Sequence, residues 1–149
     1  MELKIKALDA RIGREIPAPR YATDGAAAMD ICACLDAPLT IPAGERAVIP
    51  TGIAIALPSK EYVALMFVRS GLGIKKGICL SNGVGVIDSD YRGSVGLPLH
   101  NDTDTVKIIE PYSRVAQIVF QKTFTPSLIE VEELAETKRG DSGFGSSGV

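Results

Sequence analysis

The sequence predicts an all-β protein, a sandwich or jelly-roll-like barrel of roughly eight to ten short strands. Three observations carry this expectation. Apolar residues alternate or form short runs, and no window shows the three-and-four spacing of a long amphipathic helix. Fifteen glycines and nine prolines cut a 149-residue chain into short pieces. Turn signals fall between those pieces at Pro38, Pro42-Ala43-Gly44, Pro58-Ser59, Asn82-Gly83 and Asn101-Asp102.

Taken in order, residues 2–8 alternate, with Leu3 and Ile5 on one strand face. Residues 52–57 alternate large and small side chains. Residues 62–68, Tyr-Val-Ala-Leu-Met-Phe-Val, form a continuous apolar run that suits a buried strand. Further strands are expected at 84–88, 93–99, 105–109, 114–121 and 128–132. The best helical segment is a short turn from Ser70 to about Lys76. No linker divides the chain and no repeat is visible. Composition shifts only at the end, acidic over 130–136 and Gly/Ser-rich over 139–148. One β domain over 1–138 and a flexible arm over 139–149 are therefore expected.

Composition narrows the function classes. The chain is 46% hydrophobic and 23% charged, as ordinary globular domains are. A net charge of −2 argues against duplex binding, which needs a surplus of Lys and Arg. Small anions need only a few local cations and stay compatible. No apolar run approaches the roughly 18 residues of a membrane helix. Met1-Glu2-Leu3-Lys4 reads as the start of a strand rather than a signal peptide. The three cysteines include no CxxC pair, and Cys32 and Cys34 share a strand face. They are expected as reduced thiols packed as small hydrophobes in a cytoplasmic protein. The single histidine, His100, cannot build a multi-histidine metal site and has no nucleophile elbow near it.

Five segments carry polar chemistry. Ala26-Ala27-Ala28-Met29-Asp30-Ile31 sets a lone acid in an apolar stretch, where it needs hydrogen bonds, cations or a metal. Arg69-Ser70-Gly71-Leu72-Gly73 ends the most apolar strand with a cation, a hydroxyl and two glycines, a donor set that suits an anion. Asn82-Gly83-Val84-Gly85-Val86-Ile87-Asp88-Ser89-Asp90-Tyr91-Arg92-Gly93 runs an apolar hairpin arm into two carboxylates and a tyrosine. Such a cluster suits a water held for general-base attack beside an aromatic wall. Arg114-Val115-Ala116-Gln117-Ile118-Val119-Phe120 puts a glutamine inside a strand, where it must satisfy backbone or face a ligand. Arg139-Gly140-Asp141-Ser142-Gly143-Phe144-Gly145-Ser146-Ser147-Gly148 sets a phenylalanine among glycines, a composition suited to an arm that closes over a nucleotide. Singly, each also reads as a turn, a solvated face or a flexible tail.

In this order the five segments resemble the motifs of the trimeric dUTPases, from Ala26 to Gly148. The blocks at 86–93 and 139–146 are the most specific. The resemblance implies a dUTPase-like jelly roll of the β-clip type, assembled as a homotrimer with active sites at subunit interfaces. It implies hydrolysis of dUTP to dUMP and pyrophosphate with Mg²⁺, an activity that limits uracil in DNA and supplies dUMP for dTMP synthesis. Asp88 matches the aspartate that activates the attacking water. Tyr91 matches the tyrosine under the deoxyribose, which disfavours a 2′-hydroxyl. Asn82 matches the uracil-edge residue, and the hairpin backbone at Gly83, Val86 and Ile87 pairs with the base. Arg69, Ser70 and Gly71 match the phosphate motif, and Gln117 matches its glutamine partner. Asp30 matches the acid that helps organise the metal through water. Arg139 and Phe144, with Gly145 and Ser146, match the tail that holds the phosphates and stacks over uracil. Departures are small: Ser147 stands where the family often has Thr, Asp141-Ser142 fill variable positions, and Gly73 follows a motif that often continues with Ala. Rival readings are a dCTP deaminase on the same fold, a non-catalytic jelly roll, and a dUTPase that also binds a regulatory protein.

Overall fold

A computed structural model describes residues 1–142. Those residues form twelve strands and one helix. The strands are β1 (Lys4–Ala7), β2 (Arg20–Tyr21), β3 (Met29–Cys32), β4 (Leu39–Ile41), β5 (Arg46–Pro50), β6 (Ile53–Ala56), β7 (Tyr62–Val68), β8 (Ile78–Leu80), β9 (Gly85–Ile87), β10 (Gly96–Asn101), β11 (Lys107–Ile109) and β12 (Arg114–Lys122). The helix α1 (Ser70–Lys76) lies where the sequence put its one helical turn. The all-β expectation holds, with the sheets left open rather than closed into a barrel.

Every strand pairing is antiparallel, so short turns suffice to connect neighbours. The largest sheet has the order β2-β3-β12-β7-β9, and a second has the order β5-β10-β8. Two pairs, β1-β6 and β11-β4, complete the layers. The core between them is rich in isoleucine, with Ile31, Ile49, Ile78, Leu97, Leu99 and Ile118 among its buried side chains. Each such side chain contributes on the order of 1.5–3 kcal/mol by leaving water.

Alternation decides which residues face that core. In β10, Leu97 and Leu99 point inward, and period two puts Asn101 inward as well. Asn101 is fully buried and therefore needs partners. Its Nδ2 donates to the carbonyls of Ile41, Pro42 and Thr105, at 3.0, 3.0 and 2.8 Å. Its Oδ1 accepts from the Thr103 N–H and hydroxyl, at 3.2 and 2.7 Å. The sequence signal Asn101-Asp102 is thus a strand end rather than the turn itself. Asn101→Ala should destabilise the protein by roughly 3–5 kcal/mol, because several buried groups lose their partner together. The shift of the urea midpoint measures this.

Three further differences from expectation have physical causes. Residues 128–132 form no strand: they have no sheet partner, and Leu128 and Ile129 are 95% and 84% exposed. β10 begins at Gly96, later than position 93, because residues 88–95 turn around the end of β9. β8 and β9 do not pair with each other. β8 joins β10, whereas β9 joins β7, so the Asn82-Gly83 turn bridges two sheets. Gly83 sits there at φ +70°, a left-handed conformation that favours glycine.

All three cysteines are free thiols. Cys32 and Cys34 pack with Ile16, and burial holds both thiols above their ordinary pKa. His100 is partly buried, with Nδ1 3.7 Å from the Cys79 sulfur. Among the described residues, no helix is long and apolar enough to cross a membrane.

Candidate active site

Two separate groups of polar residues stand out. The first surrounds a cleft of about 280 Å³ in the gap between the two larger sheets. Of the sequence-predicted residues, Asn82, Val86, Ile87, Asp88 and Tyr91 line it. Met66 and Leu80 supply apolar lining, as do Val95, Leu97 and Pro98 from the β10 side, which the sequence had not suggested. The bridging turn explains the cleft. β9 pairs with β7 through Gly85↔Met66, Val86↔Leu65 and Ile87↔Ala64, which holds it away from β8 and β10. The chain then turns sharply, with the Tyr91 N–H donating to the Asp88 carbonyl at 3.2 Å. That turn brings Asp88 and Tyr91 to one rim. The Tyr91 hydroxyl donates to the Ser94 carbonyl at 3.0 Å. The Arg92 guanidinium turns back onto the carbonyls of Ser89 and Tyr91, both at 2.8 Å.

The second group centres on Asp30, a carboxylate only 8% exposed. Arg114 Nη1 donates to its Oδ2 at 3.0 Å, and Gln117 Nε2 donates to its Oδ1 at 3.3 Å. Arg69 Nε lies 3.1 Å from Oδ1, an ion-pair distance, yet its N–H is aimed too poorly to form a hydrogen bond. A buried carboxylate with two guanidinium partners and an amide is a compensated charge.

A β-bulge assembles this second group. β12 pairs with β3 as Arg114↔Cys32 and then Ala116↔Ile31, which leaves Val115 as the extra residue. Simple alternation puts residues 114 and 117 on opposite faces. The bulge cancels that alternation, so Arg114 and Gln117 both reach Asp30. Arg114 is the functional candidate that sequence reasoning missed. Its only signal was a cation at a strand start, three residues before the glutamine. The β12 entry is held from outside by Arg11, which pairs with Asp9 at 2.7 Å and Asp36 at 2.8 Å and lies over the Tyr112 ring. Hydrogen bonds from Arg11 hold the Asp9 carboxyl well below the usual carboxylate range.

Ser70 and Gly71 open α1 beside Arg69 and are exposed. Leu72 and Gly73 N–H both bond the Arg69 carbonyl, so the first-turn N–H groups ahead of them have no helical acceptor. Arg139 is exposed, and among the described residues its side chain bonds only the Ser142 carbonyl, at 3.0 Å. Phe144, Gly145 and Ser146 lie outside the described residues. Among the described residues, no three His, Cys, Asp or Glu side chains converge as a metal site.

The two groups sit at opposite ends of β7. Ile87, just before Asp88, is level with Ala64, whereas Arg69 follows the far end of the strand. At about 3.3 Å per residue this spacing is roughly 15–20 Å.

Known proteins give this arrangement a context. The dUTPase family model matches residues 14–148. The deoxyuridine 5'-triphosphate nucleotidohydrolase of Idiomarina loihiensis is 47% identical over 99% of this chain and 97% of its own. That of Burkholderia lata is 47% identical over 99% of both chains. Among solved structures, the Staphylococcus bacteriophage 80alpha dUTPase with dUpNHpp superposes with a TM-score of 0.86 at 29% identity, covering 99% of both chains. A dUTPase from phage phi11 of S. aureus has the same fold, with a TM-score of 0.78 at 23% identity over 91% of this chain and 100% of its own. A family match over nearly the whole chain, with close to half of all residues identical to named relatives, establishes that the chain belongs to the dUTPase family of enzymes.

Proposed function

We propose that the protein hydrolyses dUTP to dUMP and pyrophosphate, with Asp88 as the general base for water attack on the α-phosphorus. The observation that carries this reading is the cleft ringed by Asn82, Asp88 and Tyr91. It offers a polar edge for a base, an aromatic face for a sugar and a carboxylate for a water along one arm. Apolar lining from Met66, Leu80 and Leu97 excludes water around the base, which strengthens each polar contact inside. Uracil is selected by Asn82 and by the backbone at Gly83, Val86 and Ile87. A base that leaves these groups unpaired is rejected by roughly 10⁴ or more.

The Asp30 group is the phosphate side. Arg69, Ser70, Gly71 and Gln117 bind the phosphate chain, and Arg114 joins them. Asp30 holds Arg69, Arg114 and Gln117 in position before substrate arrives, and preorganised donors need no rearrangement at the moment of reaction. The convergence of the Arg69 and Arg114 guanidinium groups on Asp30 supports this role, since both bring donors suited to phosphate oxygens to one place. When bound, Mg²⁺ would supply neutralisation of phosphate charge and would be held mainly by phosphate oxygens and water. With its oxygens engaged by three side chains, Asp30 would help hold that ion only through water.

The separation of the two groups supports sites shared between subunits, as the proposed homotrimer requires. One phosphate chain must lie beside Asp88 and also touch Arg69, and roughly 15–20 Å of strand divides them within one chain. A second copy that brings its Arg69 end to the first copy's cleft removes this distance. The segment between β12 and the arm is suited to such assembly. Phe124, Leu128 and Leu134 are each at least 87% exposed, an apolar surface that a lone chain leaves in water. The Gly/Ser-rich arm over 139–149, following the 1–138 domain, closes the site with Arg139 on phosphate and Phe144 on uracil, aided by Gly145 and Ser146. The setting is cytoplasmic, with no nucleic-acid or membrane partner.

Pyrophosphate release from dUTP, dCTP, dTTP and UTP, with and without Mg²⁺, tests the assignment. Rapid release from dUTP alone is expected. Ammonia release from dCTP would instead identify a deaminase, and no turnover of any substrate would leave a binding protein.

A further inference from the structure

Gly93 follows Tyr91 and Arg92 where the chain leaves the cleft, and the mechanism above gives it no part. We infer that Gly93 is a positioning residue for Tyr91, and that its missing side chain is what sets the ring on the cleft rim. The inference rests on the sugar role proposed for Tyr91.

Glycine is not required at position 93 by the backbone. The left-handed glycines among the described residues are Gly13, Gly44, Gly52, Gly77, Gly83 and Gly140, and Gly93 is not one of them. An L-residue would meet no backbone strain there. It would meet the tyrosine. A Cβ built on Gly93 would lie 2.6 Å from Tyr91 Cζ and 3.1 Å from Cε2, and it would collide with Oη. Carbon atoms without a bond between them do not approach that closely, since dispersion contacts are best at roughly 3.5–4.0 Å. The ring thus lies directly over the space that a side chain would fill. There its hydroxyl reaches the Ser94 carbonyl at 3.0 Å.

What yields to an added Cβ decides the phenotype. The Tyr91 ring hangs on two torsions at an exposed position, so it can swing aside while the backbone stays. It would then leave both the Ser94 carbonyl and the rim. Gly85 is the instructive contrast. A Cβ there would lie 2.9 Å from Met66 Cβ, an atom fixed to the backbone of a buried strand residue, so substitution at Gly85 strains the fold itself. At Gly93 the loss falls on sugar selection. With the ring displaced, the face that excludes a 2′-hydroxyl opens, and the ring's contact with a deoxyribose is lost.

The test compares kcat and KM for dUTP and UTP in the full-length protein, Gly93→Ala, Tyr91→Ala and the double variant, with a melting curve for each. Gly93→Ala should lower the dUTP-over-UTP preference in kcat/KM by about tenfold, chiefly by raising KM for dUTP, with melting close to the parent. In the Tyr91→Ala background, Gly93→Ala should add nothing, because the ring it displaces is gone. An unchanged preference in Gly93→Ala would overturn the inference, as would effects of the two substitutions that multiply. Should Gly93→Ala fail to fold, recovery of folding in the double variant supports the ring collision, and failure of both overturns it. A parent protein with no preference for dUTP over UTP would sink the sugar role of Tyr91 itself. A parent preference that survives Gly93→Ala would sink only the role of Gly93.

Discussion

Asp88→Asn should cut kcat for dUTP by about 10²–10⁴ while leaving nucleotide affinity near its original value. The substitution keeps the shape of the side chain and removes only its ability to take a proton. The side chain lies on the cleft rim, and none of the side-chain hydrogen bonds among the described residues uses its carboxylate, so the fold loses nothing. Affinity should even rise slightly, because a negative charge beside the phosphates disappears. Calorimetry with a non-hydrolysable imido analogue of dUTP gives the affinity, and pyrophosphate release gives the rate. An Asp88→Asn variant that turns over at a near-normal rate would exclude Asp88 as the base. One that neither binds nor turns over would make it a binding residue.

Removing residues 139–149 should lower activity by about 10²-fold or more and leave assembly intact. The argument is one of position. The last strand ends at Lys122, and beyond the Thr123 N–H, which bonds the Glu61 carbonyl, the described main chain forms no bond to the body of the fold. Among the described residues, Arg139 bonds only its own turn. The described part of the arm thus adds no main-chain bond to the body of the fold, and on the proposed reading the arm acts on a bound nucleotide. Sedimentation and turnover of the shortened chain separate the roles. A shortened chain that sediments as a monomer would make the arm structural.

Local pattern revealed the parts of this molecule that depend on local pattern. The apolar run at 62–68 and the segment at 114–121 became the two long strands of the main sheet, because both are long and rich in β-branched and aromatic residues. The short helix after Arg69 was also legible. Strands β2, β3, β4, β5 and β8 were not, for a definite reason in each case, β2 having only two residues. β3 carries the buried Asp30, which breaks its apolar pattern. β4 and β8 have three residues each, below the length at which alternation is informative. β5 begins with an arginine and ends with a proline. The opposite error arose at 128–132, where apolar residues suggested a strand that one chain has no partner to pair with.

The candidate site divides in the same way. The arm from Asn82 to Tyr91 is contiguous, so its residues could be grouped by reading along the chain, and the cleft unites them. The link from Asp30 to Arg114 spans more than half of the chain and depends on one extra residue at Val115. Nothing in Arg114-Val115-Ala116-Gln117 announces a bulge, since valine and alanine suit regular strands as well. Only the three-dimensional register shows that the arginine and the glutamine share a face.

The placement of the two polar groups at opposite ends of β7 has a genetic consequence. On the shared-site reading, a chain damaged at Asp88 still offers a sound phosphate end, and a chain damaged at Asp30 still offers a sound cleft. Two such alleles expressed together would rebuild working sites wherever the intact halves meet. Lesions in different halves would complement one another, whereas two lesions in the same half would not. The protein would then behave toward mutation as two separable cistrons encoded in one short reading frame.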